Sequence, residues 1–239
     1  MDHFKADDKV AKLIHANHYL LPVINRFGIR LGFKDKTVAQ VCTEKNIDSN
    51  FFLAIINTYT NEDYFPEQDL LKFSPELLID YLRKTHRYYF EYFFPEVEHR
   101  LNKVLNSCQG NCGDLQLINT FYQKYKVELT KHLEEEENRV FPYILALTGC
   151  LRTGGQMPEQ FSNYYIQSRE PEHTMVDQKI YDLKNILIKY LEANYDDNLC
   201  NTFLFAIFQF ERDLVDHARI EDKILVPKVV EIEKMVRHG

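Results

Sequence analysis

Residues 131–144 read KHLEEEENRVFPYI, and residues 216–229 read DHARIEDKILVPKV. Aligned without a gap, the two stretches share a His, a Glu four places later and a Pro six places after that. Residues four apart lie on the same face of an α-helix. The spacing therefore sets His132 beside Glu136 and His217 beside Glu221. The faces concerned are mostly apolar: Phe121, Tyr125, Leu129, Val140 and Tyr143 share one with His132, and Phe210, Leu214, Ile224 and Lys228 share the other with His217. Further upstream, His86 shares a helical stripe with Leu82, Tyr89, Phe90, Phe93 and Val97.

The surrounding pattern is helical almost throughout, with no convincing period-2 run. An amphipathic segment covers Asp7 to Phe27, and a turn follows around Gly28 to Asp35. Two short helices are expected over Thr37 to Lys45 and Asp48 to Thr60, the second capped by Asp48 or Ser49. NEDYFPEQDLLKF, residues 61–73, reads as irregular. Ser74-Pro75-Glu76 is a strong helix start. From there four long helices are expected, over about 74–106, 114–147, 159–193 and 199–236. They are separated by SCQGNCGD, GCLRTGGQMPEQ and ANYDDN. Helices of about 30 residues are about 45 Å long, and short breaks make them antiparallel neighbours. The expected fold is all-α: an up-down-up-down four-helix bundle over residues 74–239, preceded by a small helical N-terminal domain over residues 1–73. Pro95, Pro142 and Pro227 fall inside or near the ends of these helices and imply kinks or helix ends.

In an antiparallel hairpin, residues equidistant from the turn lie at one height. The midpoint of His86 and His132 is residue 109, inside the first break. That of His173 and His217 is residue 195, inside the third, and that of His132 and His173 falls inside the second. Four histidines, one per helix, are thus placed at one level, with Glu136 and Glu221 beside two of them. Four imidazoles and two carboxylates suit two metal ions bridged by carboxylates. Such donors at an unsaturated site point to iron first, with manganese or zinc as substitutes. The competing reading is a bundle without functional metal, but buried histidines and glutamates are costly unless something compensates them. Glu128, Asp213 and Asp177 are candidate acceptors for imidazole N–H groups. His3, His15, His18, His99 and His238 are expected not to bind metal.

The bulk numbers narrow the function classes. A formal net charge of -7 and a pI near 5.7 do not favour nucleic acid or an anionic membrane. No signal peptide is visible, and no apolar run is long enough to span a bilayer. The five cysteines show no disulfide rhythm and are expected as reduced thiols of a cytoplasmic protein. Cys108 and Cys112 share the first bundle turn, and Cys42 reads as a small core residue.

At HLEEEENRVFP and HARIEDKILVP, with LRKTHRYYFEYFFP and PEHTMVDQKI upstream, the chain resembles the hemerythrin-like (HHE cation-binding) domain. LLPVINRFGIRLGFKDKTVAQVCTEKNID is similar to the small helical domain that precedes it in the repair-of-iron-centres family. The resemblance implies a non-haem centre of two iron ions, oxo- or hydroxo-bridged. Its ligands would be His86, His132, Glu136, His173, His217 and Glu221, with the two glutamates as bridges. It further implies a metal-binding and repair protein more than a classical enzyme, acting in nitrosative and oxidative stress by donating iron to damaged iron–sulfur proteins. The alternative is reversible binding or sensing of O2 or NO at the same centre. An oxidase is the weakest of the readings. The family's adjacent cysteine pair is replaced here by Gly32 and Phe33, which puts thiol chemistry of that domain in doubt. Whether the chain forms a homodimer is left open by the sequence.

Overall fold

A computed structural model describes residues 3–60, 64–168 and 173–238, without the side chains of residues 168, 173–177 and 238. Among the described residues there is no β-strand, only isolated bridges at Lys9–Thr37 and Gln109–Asn194. The chain forms two compact units: Met1–Thr85 with Arg219–Lys228, and His86–Ala218 with Val229–Gly239.

In the first unit, the amphipathic stretch after Asp7 is two helices rather than one, α1 (Val10–Ala16) and α2 (Leu20–Arg26). The break lies at Asn17. Its side chain donates to the Tyr59 carbonyl at 3.1 Å and accepts from the Tyr19 N–H at 3.0 Å. A buried Asn that satisfies backbone groups this way competes with the helical ladder. Next come α3 (Val38–Lys45), begun by a capping box between Thr37 and Gln40, and α4 (Ser49–Thr60). Asp48 caps α4 by accepting from the N–H groups of Asn50 and Phe51. The stretch expected to be irregular contains a single helical turn, α5 (Glu67–Leu70). Phe27 packs against Phe51, Phe52 and Tyr81 at ring separations of 6.0, 5.0 and 5.5 Å. Arg219 donates to the Tyr64 carbonyl and Lys228 to that of Leu71, which satisfies two loop acceptors.

The first long helix is α6 (Pro75–Tyr88) and α7 (Phe94–Ser107), joined by a π-helical turn at Tyr89–Phe93. The second is α8 (Gly113–Glu135) and α9 (Phe141–Thr153), joined by a π-turn at Glu136–Val140. It runs beyond Gly149 and stops at Gly154, which takes the left-handed conformation (φ 69°) that a C-cap needs. The third is α10 (His173–Tyr190). The fourth is α11 (Asp197–Ile220) and α12 (Val226–His238), joined by a π-turn at Glu221–Leu225.

The third helix starts later than its sequence suggests. In place of an α-helix from Glu159 there are two 3-10 turns, Glu159–Phe161 and Ile166–Ser168. Side chains of α12 hold this connection. Glu233 accepts from the Ile166 N–H at 2.8 Å and from the Tyr143 hydroxyl. Arg237 donates to the carbonyls of Phe161, Ser162 and Tyr164. Backbone groups satisfied from outside need no helical partner.

Pro95, Pro142 and Pro227 neither end their helices nor break them. A proline inside an α-helix has no N–H for the bond to residue i−4, and its ring meets that residue's carbonyl. Here each proline sits two residues after the end of a π-turn closed by an i→i−5 bond. The N–H of Phe94 donates to the Tyr89 carbonyl, that of Phe141 to Glu136 and that of Val226 to Glu221. The extra residue in the turn accommodates the proline, and the helix continues. Such π-bulges are rare and recur at functional sites.

In the second unit the four helices share one core. α7 gives it Val97, Leu101 and Val104; α8 gives Ile118, Tyr122, Tyr125 and Leu129; α10 gives Ile180, Leu183 and Leu187; α11 gives Phe203, Ile207, Phe210 and Leu214. This is the four-helix bundle anticipated from the helical periods. Phe210 stacks on Phe93 at 4.1 Å and meets Tyr89 and Phe94 edge-on at 5.2 and 5.9 Å.

Cys108 and Cys112 are joined in a disulfide across the first bundle turn, contrary to the expectation of five reduced thiols. The turn sets their Cα atoms 6.1 Å apart, within the span a disulfide bridges. Cys42, Cys150 and Cys200 are free and buried. Burial pushes the Cys42 thiol up to about 11, assisted by the charge of Asp48, which keeps it protonated and inert.

The ring cluster about Phe210 generates a first prediction. Phe210→Ala should lower stability by about 3–5 kcal/mol, the usual range for deleting a buried aromatic. Urea unfolding followed by circular dichroism measures it, with the folded baseline unchanged.

Candidate metal centre

Five of the six predicted ligands have described side chains. His86 lies in the last turn of α6, three residues before the first π-turn. His132 lies in the last turn of α8, and Glu136 opens the second π-turn. His217 lies near the end of α11, and Glu221 opens the third π-turn. All five are buried, Glu136 and Glu221 completely. His173 is the first residue of α10; its side chain lies outside the described residues, so its expected role is not addressed by the geometry.

Glu136 is the centre of the arrangement. Its Oε1 lies 2.9 Å from His132 Nε2, and its Oε2 lies 3.3 Å from His86 Nε2. One carboxylate thus faces imidazoles from two helices. The His86 and His217 rings are 5.0 Å apart, so a third helix reaches the same point. Potential ligand atoms of His86, Glu136 and His217 all lie within 4.8 Å of one another. Phe141 stacks on His86 at 5.5 Å with an interplanar angle of 14°, and Tyr89 meets His217 edge-on at 6.1 Å. These rings keep water out, which strengthens every charge interaction inside.

His86 has a second partner that helical counting overlooks. Its Nδ1 lies 2.8 Å from Glu137 Oε1. Glu137 is five residues after His132, off the three-and-four spacing that defines an α-helical face, so EEEE read as a run hides it. The contact sets the tautomer: with Nδ1–H donating to Glu137, Nε2 is the atom directed at Glu136 and available to a metal. The carboxylates first considered for this task behave otherwise. Glu128 pairs with Lys179, since it lies where α8 passes α10. Asp213 is buried, and the side chain of Asp177 lies outside the described residues. Among the histidines set aside, His99 is exposed, while His3 and His18 stack on Tyr64 and Tyr19.

The electrostatics fit a cation. Burial by itself pulls His86 down, but the hydrogen bonds to Glu136 and Glu137 and the charges of both carboxylates outweigh it, and its pKa is pushed up to about 9. An imidazole–carboxylate set with nitrogen and oxygen donors is one that iron, manganese and zinc accept. The residues present suit a metal.

A four-helix bundle whose interior gathers imidazoles around a buried carboxylate is a helical-bundle metal protein. The sequence matches the Hemerythrin HHE cation binding domain over residues 77–229, and the chain belongs to that family. It is also 20% identical over 192 residues to the iron-sulfur cluster repair protein ScdA of Staphylococcus haemolyticus (strain JCSC1435), covering 80% of this chain and 83% of the relative. Both findings bear out the resemblance carried by the two His-x-x-x-Glu repeats and the N-terminal stretch.

Three predictions follow from the geometry. Glu136→Ala should lower metal content while leaving helicity, because packing of the apolar faces supplies most helix stability; plasma mass spectrometry with far-ultraviolet circular dichroism checks both. Glu137→Gln should weaken metal binding by about 10–100-fold, the usual cost of losing a partner that orients a ligating His. A competition titration against a chelator reads that change. Pro142→Ala restores an N–H that can bond the Asn138 carbonyl, which lets the π-turn relax to an α-helix. One residue fewer in the turn rotates what lies beyond it by about 100°, so metal content should fall while helicity stays or rises.

Proposed function

We propose that this protein holds a pair of iron ions in the bundle and supplies iron to damaged iron–sulfur proteins, in defence against nitric oxide and oxidants. The observation that carries the reading is the buried His86–Glu136–His217 group with His132 on the same carboxylate. His173 and Glu221 complete the proposed ligand set, and Glu136 and Glu221 are the proposed bridges. The bound iron supplies the redox and Lewis-acid chemistry. The chain's own residues bind and orient: Glu137 holds His86, Phe141 and Tyr89 wall off water, and the π-turns present the two glutamates.

Membership in a cation-binding family and likeness to a relative named for iron–sulfur cluster repair support this over an oxidase. No helix among the described residues is long and apolar enough to cross a membrane, which is compatible with the proposed cytoplasmic setting.

Transfer is the test. Protein loaded with isotopically labelled ferrous iron is incubated with an apo-ferredoxin, sulfide and a thiol, and the label in the isolated acceptor is counted. Movement of most of the label without unfolding of the donor is the expected result. Retention of the iron, together with a stable O2 or NO adduct of the reduced protein, would replace donation by gas binding.

A further inference from the structure

The proline-terminated π-turn occurs three times among the described residues, and its first residue is the point of interest. In two copies that residue is a glutamate proposed to bind metal, Glu136 or Glu221. In the third it is Tyr89. The backbone device is the same: the N–H five residues on, from Phe94, closes the turn on the Tyr89 carbonyl, and Pro95 follows at the spacing of Pro142 and Pro227. Tyr89, Glu136 and Glu221 are all completely buried. Tyr89 also follows His86 by three residues, a spacing that places both on one helix face. Paired ligands three apart are how Glu-x-x-His segments serve di-iron bundles. Its ring stands edge-on to His217 at 6.1 Å, against one of the imidazoles of the metal group.

We propose that Tyr89 is a ligand of this metal centre: its phenol oxygen binds ferric iron as phenolate. The proposal rests on the metal centre of the preceding subsection. Phenolate is a hard, anionic oxygen donor of the class that carboxylates provide, and it favours the ferric over the ferrous state. Binding is a ligand exchange without electron transfer. The O–H bond would break, an iron–oxygen bond would form in place of one to a solvent ligand, which leaves, and the proton would go to buffer. Packing alone would be met by phenylalanine, since the ring's contact with Phe210 at 5.2 Å needs no hydroxyl.

The full-length protein is loaded with iron, oxidised and examined for metal content, visible absorption and resonance Raman scattering. Expected is a broad visible charge-transfer band whose excitation enhances tyrosinate ring modes, and loss of both in Tyr89→Phe with the iron still bound. Wild-type protein grown on ring-deuterated tyrosine gives an independent readout, because the enhanced modes must shift; this serves even where the variant fails to fold. Iron bound without the band, or a band that survives in Tyr89→Phe, overturns the assignment and leaves the metal centre standing. Wild-type protein that takes up no iron overturns both.

Discussion

A carboxylate with no exposure to water is sustained only by what surrounds it, and Glu136 is the case on which this structure turns. Full burial of an ionised side chain costs several kcal/mol unless charge and hydrogen bonds compensate it. Glu136 obtains both from imidazoles on two helices, His132 at 2.9 Å and His86 at 3.3 Å. His86 is in turn held from its other nitrogen by Glu137. The helices must therefore meet at a fixed height, because a shift of one residue along either axis removes a partner. The apolar contacts around Phe210, Phe93 and Tyr89 supply the cohesion, and the polar group selects the register.

The backbone contributes as much as the side chains. An α-helix directs residues three and four apart to one face and no others. By inserting one residue, each π-turn changes what the face beyond it presents, so that a glutamate can enter the interior while the apolar stripe continues on the far side. Proline enforces the change, since its missing N–H and its ring remove the ordinary α-helical alternative. That the same device appears after His86, His132 and His217 ties three helices to one local solution. The fold thus reads as a helical hairpin used twice. The short His–Glu–Pro pattern is the sequence trace of that repetition.

Much of this architecture was legible in the chain. The 3.6-residue period of the apolar positions yields the four long helices, because burying a stripe is a property of each helix taken singly. The distances of His86, His132 and His217 from the breaks anticipate their meeting around Glu136, because antiparallel hairpins map distance from a turn onto height. Glu137 escaped this reasoning. Its approach to His86 depends on a π-turn and on a neighbouring helix, and neither alters the local pattern of EEEE. The late start of α10 escaped for a related reason: residues 159–168 carry helical periodicity, but Glu233 and Arg237, some 70 residues away in sequence, satisfy their backbone and remove the reason to coil. The Asn17 break between α1 and α2 likewise depends on a carbonyl 42 residues distant.

By itself, then, the sequence determined the helical class, the number of long helices and the pairing of His132 with Glu136, since each follows from spacing along a single helix or across a single turn. Only the tertiary structure decided which carboxylate orients His86, that prolines mark π-turns instead of breaks, that Cys108 and Cys112 pair, and that Tyr89 takes the position of a glutamate. These depend on groups meeting across helices, where hydrogen bonding and exclusion of water act between residues far apart in the chain, and no local period records such meetings.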